Sequence, residues 1–174
     1  MPEPRFLVQV QILVRSGEAS LLVRTGDPDH PGCWDLPGAT LAPGGDPVAT
    51  AQAAVGPATG LPVHLSGLIG IYSAIATDHR MIFVFQGESP RLPPAPRDLT
   101  ILEARWITDG ELAGLLGHQI ASPQRLTRIL RHASQGHLLP LSRFWRPEPP
   151  ASSPPPTPSQ ATSSGPLRSG RPDR

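Results

Sequence analysis

Apolar and polar positions alternate from Phe6 to Val14 (FLVQVQILV) around Val8, Val10 and Ile12, which predicts a strand. Arg15 to Glu18 reads as a turn, and Ala19 to Arg24 returns as a second strand, closing a hairpin. Thr25 to Gly32 is a loop of turn formers, after which Trp34 and Leu36 alternate in a short strand that Pro37-Gly38 stops. A helix follows. Asp46 suits its N-cap, Pro47 its first position, and Gly60 its exit. Val48, Ala51, Ala54 and Val55 form its apolar stripe, and Leu61 begins the next strand. Pro57 lacks a donor N–H, so this helix is predicted to end near Val55 or Gly56.

The second half repeats strand signals before turning helical. Val63 to Tyr72 is a long strand with a bulge expected at Gly67 or Gly70. Thr77-Asp78-His79 turns the chain, Arg80 to Gln86 forms an apolar strand, and Pro90 to Pro96 is an irregular loop. Leu99 to Ile107 is a last strand, followed by a capping box from Thr108 to Glu111 that opens a helix to about Leu116. Pro123 to Ser134 is a further helix with Leu126, Ile129 and Leu130 on one face, and His137 to Trp145 a short packing segment. Residues 147–174 are built from Pro, Ser, Thr, Gly and Arg; such a segment cannot bury enough surface to offset its ordering entropy. The division is therefore a domain over 1–146 and a disordered tail over 147–174.

Composition narrows the partners. A formal net charge of +1 implies no strong field for nucleic acid or membranes, and all fifteen basic residues are Arg. That choice, beside abundant Ala, Gly and Pro, fits a GC-rich genome better than a phosphate-binding design. The single cysteine, Cys33, excludes an intramolecular disulfide. No long apolar run and no secretory leader are visible, so a soluble, cytoplasmic protein is expected.

The stretch from Trp34 to Leu61 (WDLPGATLAPGGDPVATAQAAVGPATGL) resembles the signature of the Nudix hydrolase family. Trp34, Leu36, Pro37 and Gly38 match its lead-in, Gly44 its loop glycine, Val55 an aliphatic position, and Thr59-Gly60-Leu61 its exit. Leu21 to Arg24, the Gly70 to Ser73 run with Phe83 to Phe85, and Glu103 to Ile107 resemble further family segments. The resemblance implies an α+β fold, a mixed sheet in an α/β/α sandwich, and hydrolysis of a nucleoside diphosphate linked to another group by a metal-activated water. It also locates the departure. Gly45 stands where the family has its first glutamate, Ala53-Ala54 where it has Arg-Glu, and Pro57-Ala58 where it has Glu-Glu. Magnesium takes carboxylate oxygens together with substrate phosphates and water, and Asp46 alone cannot supply them.

Remnant catalytic candidates are therefore Glu103, Asp46 and Asp35. Glu103 is expected to pair with Arg105, two residues along one face of the strand, or to be a solvated strand residue; Asp46 is expected to act as a cap, and Asp35 to lie opposite Trp34 and Leu36, exposed. Gly38, Gly44, Tyr72 and Arg80 are the ligand-binding candidates, with Tyr72 able to stack on a base. His30 with Asp27 and Asp29 reads as a solvated turn rather than a metal cluster. The functional expectation is binding of a nucleotide or nucleoside diphosphate derivative, or protein contacts, without a metal cofactor. The alternatives are an active hydrolase using magnesium held outside the signature, and a nucleotide-sugar sensor. No membrane or specific nucleic-acid partner is expected, and a homodimer is compatible with the family.

Overall fold

The computed structural model describes residues 5–26, 30–75, 78–115 and 117–145, so the expected tail, Asp27, Asp29, Thr77 and Leu116 lie outside the described residues. Strand β1 (Phe6–Ser16) forms the predicted hairpin with β2 (Ala19–Thr25), in register Val14 opposite Leu21. Short strands β3 (Trp34–Asp35) and β4 (Gly38–Thr40) pair with β2 and β1. Helix α1 spans Pro47–Thr59, and β5 (His64–Ile75) and β6 (His79–Glu88) form a second hairpin. Strand β7 (Ile101–Thr108) then pairs with β2, before α2 (Asp109–Gly114) and α3 (Pro123–Ser134). The main path of the sheet runs β3-β2-β1-β6-β5, and β1 and β6 pair in parallel while the other pairs are antiparallel. The sheet is thus mixed.

Its central strand explains the layering. Val10, Ile12, Leu13 and Val14 of β1 are all fully buried, which requires cover on both faces. Val10, Ile12 and Val14 join Val48, Ala51 and Val55 of α1 in one core, with Leu65, Leu68 and Phe85. Leu13 joins Leu126 and Ile129 of α3, with Leu22, Ile82 and Val84, in the other. One helix layer therefore lies on each face of the sheet, as an α+β sandwich requires. The segment after α3 closes the first core: Leu139 exchanges backbone hydrogen bonds with Leu68, and the Phe144 ring lies 5.6 Å from that of Phe85. A bulge is expected at Gly67 or Gly70, and the register shifts at both, between Leu65 and Gly67 and between Leu68 and Gly70.

Helix α1 differs from expectation at one end. Asp46 caps it, its carboxylate accepting from the Ala49 N–H at 2.7 Å, and Gly60 leaves it at φ +72°. Yet the helix continues through Pro57 to Thr59 instead of stopping near Val55. Pro57 removes one donor to the preceding turn, but the carbonyls beyond it are bonded from outside the helix. Arg97 and Asp98 donate backbone N–H groups to Pro57 O at 2.8 and 3.1 Å, and Ala95 donates to Thr59 O at 2.9 Å. Within the helix, Gly60 N donates to Gly56 O at 2.7 Å and the Thr59 hydroxyl to Val55 O at 2.7 Å. Tertiary bonds thus outweigh the local penalty. Leu61 packs into the first core, and β5 begins only at His64.

Candidate functional site

Two glutamines interrupt the apolar run of β1, and the pleat sends their side chains to the α3 side together with Leu13. Gln11 is 8% exposed, at the floor of a polar cleft of about 210 Å3. The cleft is walled by β4 through Gly38, Ala39 and Thr40, by Arg80 of β6, by Arg125 of α3, and by Asp35 of β3. Gly38 is needed here because β4 crosses close to β1. A Cβ on it would sit 2.2 Å from the Val10 carbonyl oxygen.

Asp35 lies in this cleft, contrary to the exposed position expected. Arg125 of α3 reaches over Asp35, so alternation along the strand does not carry Asp35 into water. Its Oδ2 accepts from Arg125 Nη2 and from Gln11 Nε2, both at 3.0 Å, and its Oδ1 accepts from the Leu36 N–H at 2.8 Å. The Asp35 and Arg125 side chains are only 23% and 16% exposed. With Nε2 held on a carboxylate, Gln11 turns Oε1 the other way, and that buried oxygen has no hydrogen-bond partner. Neither Gln11 nor Arg125 stood out as a site residue in the sequence. The only signal was a glutamine inside the most apolar strand.

Glu103 is elsewhere and differently paired. It stands directly across from Arg24 in the β2–β7 register and accepts from Arg24 Nη1 at 3.1 Å, while Arg105 donates to Glu111 at 2.8 Å. The expected Glu103–Arg105 pair is therefore replaced by two others. Arg24 also donates to Gly32 O at 3.0 Å and lies over the Trp34 ring, 5.6 Å from its centroid. Glu103 thereby helps tether the loop between β2 and β3.

Of the ligand candidates, Gly38 and Arg80 meet in the cleft with Asp35, and His30 borders it. Gly44 is exposed in the loop before α1 at φ +76°. Tyr72 faces a separate groove beside Arg128 and His132. Its hydroxyl and His132 Nδ1 are 2.8 Å apart, and the two rings stack at 5.8 Å. Burial pushes the Tyr72 phenol above its usual pKa, with the Arg128 charge acting the other way. His79, at the start of β6, bonds Ser73 Oγ at 2.8 Å across the hairpin. A larger cavity of about 600 Å3 lies under α2 and α3, lined by Leu13, Leu112, Ile120, Leu126 and Leu130. At its rim Arg15 is held bidentately by Asp109, at 2.7 and 3.0 Å.

The residues present do not fit a magnesium site. Helix α1 contains no acidic side chain, and no group of three or more His, Cys, Asp or Glu residues converges among the described residues. Asp46 is committed to its cap, Asp35 to Arg125 and Gln11, and Glu103 to Arg24. A hard cation that prefers near-octahedral oxygen coordination would find no carboxylate cage here.

No family model and no curated protein matches the sequence. Solved structures do match. A NUDIX hydrolase from Nitrosomonas europaea is similar at a TM-score of 0.72 and 20% identity, over 82% of this chain and 97% of that one. A MutT protein from Methanosarcina mazei Go1 gives 0.66 at 18% identity, over 78% and 99%. A bifunctional NMN adenylyltransferase/ADP ribose pyrophosphatase from Francisella tularensis, complexed with AMP and a manganese ion, gives 0.65 at 15% identity, over 76% and 43%. The mixed sheet between two helix layers and the Trp34 to Leu61 strand-loop-helix thus place this chain in the Nudix hydrolase fold.

Proposed function

We propose that this protein binds a nucleoside diphosphate derivative in the Gln11–Asp35–Arg125 cleft and lacks metal-dependent diphosphate hydrolysis. The observation that carries this reading is the contrast between the cleft and α1. The cleft keeps two arginines, Arg80 and Arg125, one carboxylate and the Gly38 backbone, whereas α1 presents alanine and proline, and the loop before it Gly45, where the family carries glutamates. Positive charge at a cleft wall favours a phosphorylated ligand. Metal activation of water and general-base help, each worth orders of magnitude in rate, lack their donors. The names of similar structures, a UDP-X diphosphatase and an ADP ribose pyrophosphatase, supply the ligand class.

Those same names favour one second reading, a hydrolase that draws its metal from carboxylates outside the signature. Calorimetric titration of the full chain with ADP-ribose, with and without magnesium, separates the two. Binding that is indifferent to magnesium and leaves the ligand intact supports the proposal. Magnesium-dependent release of AMP overturns it, and absence of binding in both titrations overturns the nucleotide reading altogether.

A further inference from the structure

Strand β5 closes one end of the sheet, with β6 as its single strand neighbour among the described residues. Alternate residues of a strand direct their N–H and C=O groups to opposite edges, so half of those on β5 face away from β6. At Leu68 this outer row is already used, because Leu139 exchanges two backbone bonds with it, each of 2.9 Å. From Gly70 to Ile75 the register with β6 runs unbroken, and no backbone group among the described residues bonds to the outer edge. That stretch carries no charge and no proline, two devices that keep an edge from pairing.

The two flanks of the edge differ in chemistry. On one, Tyr72 and Ala74 join the core under α3, and a groove of about 600 Å3 lies between β5 and that helix. Arg125, Arg128 and His132, three and four residues apart on one helix face, line the groove without an acidic residue beside them. Arg125 is committed to Asp35, whereas Arg128 is exposed and makes no ion pair among the described residues. On the other flank Ile71 and Ile75, which share a strand face, are 54% and 82% exposed.

We propose that the Gly70–Ile75 edge binds an extended segment of a partner protein in which acidic and apolar residues alternate. The segment's backbone continues the ladder that Leu139 begins. Its carboxylates lie on the α3 side, toward Arg128 and His132, and its apolar side chains cover Ile71 and Ile75. A second copy of this chain lacks that pattern. Neither β5 nor α3 contains an acidic residue, so two paired edges would bring arginine-bearing helices together without counter-charge.

The test is equilibrium binding to the full chain of a labelled synthetic peptide alternating Glu and Val, beside its Lys-Val counterpart. The acidic peptide is expected to bind at least about tenfold more tightly, and Arg128→Glu, an exposed substitution, should shrink or invert that ratio. Two further peptides are N-methylated at every valine or at every glutamate. In a strand one of these sets of N–H groups faces β5 and the other faces away, so one peptide should lose about tenfold or more and the other keep its affinity. Bound peptide should also slow amide exchange at alternate residues from Gly70 to Ile75. Equal affinity for the acidic and basic peptides, or a ratio that Arg128→Glu leaves unmoved, overturns the proposal. So does full binding by both N-methylated peptides, which would leave charge alone as the attraction. Failure of every peptide to bind, or self-association that the acidic peptide cannot reverse, overturns it as well.

Discussion

Arg125 of α3 and Asp35 of β3, ninety positions apart in the chain, meet at 3.0 Å with both side chains largely shielded from water. This pair ties the helix layer to the short strand that leads into the glycine-rich loop. Arg125→Met should leave Asp35 with Gln11 as its remaining side-chain partner. A hydrogen bond to a charged group is worth about 1.5–3 kcal/mol, so a loss of that size is expected in urea unfolding. A loss under about 0.5 kcal/mol, the level of an exposed pair, would show that solvent screens it.

Pro57 should be replaceable with profit. The chain follows helical geometry through this residue at the expense of one backbone bond and a ring clash with the preceding turn, a penalty of about 3 kcal/mol in a helix interior. Alanine restores the donor but enlarges the unfolded ensemble by about 0.4–1 kcal/mol. Near the helix end the expected net gain is about 1–2 kcal/mol. Chemical denaturation of Pro57→Ala checks the sign, and a destabilised variant would mean that the proline ring packs productively.

The single tyrosine provides an internal probe at the groove beside α3. Burial raises the Tyr72 pKa, so native protein should ionise above the ordinary phenol value of 10.0, and urea-unfolded protein near it. The sign follows. The stability linked to this group is complete below pH 10 and is lost as pH rises through the folded value. Ultraviolet titration of native and unfolded chain reads both values, and coincident curves would contradict the buried placement.

Acid should weaken the start of α2. Asp109 is held below its usual pKa by its hydrogen bonds from Arg15, and Glu111 by the Thr108 N–H and then the Thr108 hydroxyl and Arg105. Lowered folded values mean that their contribution is complete above the unfolded range, near 3.8 and 4.5, and is lost as pH falls through the folded values. Asp78, held down by Arg5, acts in the same direction. Thermal midpoints measured from pH 6 to 2 should decline below about pH 4. Asp109→Asn with Glu111→Gln should flatten that decline, and an unchanged acid limb would assign it to other groups.

Hydrophobic spacing and end signals made most of the architecture readable. Val10 and Ile12 marked β1, Asp46 and Gly60 bracketed α1, Gly67 and Gly70 located the bulges, and Thr108 with Glu111 began α2. The site was less legible because its chemistry depends on pairing across elements. Glu103 and Arg105 share a strand face, but cross-strand register gives Glu103 to Arg24, and the capping residue Glu111 takes Arg105. Asp35 looked solvent-facing because alternation names two sides of a strand without saying whether the second is also roofed. Gln11 carried no motif at all. Its meaning lies in one amide held by a residue 24 positions away. Pro57 misled because a local rule cannot register bonds arriving from Ala95 to Asp98.

Those arriving bonds have a consequence for how the molecule opens. The proline-rich crossing between β6 and β7 is fastened at both ends, by the Trp106 indole N–H on Leu92 O at 2.8 Å and by the Ala95, Arg97 and Asp98 amides on the end of α1. A Cβ on Gly60 would fall 2.2 Å from the Ala95 carbonyl oxygen, so the seam leaves no room for slippage. Helix and crossing must then detach together, as one cooperative unit in amide exchange rather than as a fraying end and a loose loop. The last turn of α1 is thus a buckle that fastens the longest irregular passage among the described residues to the sheet.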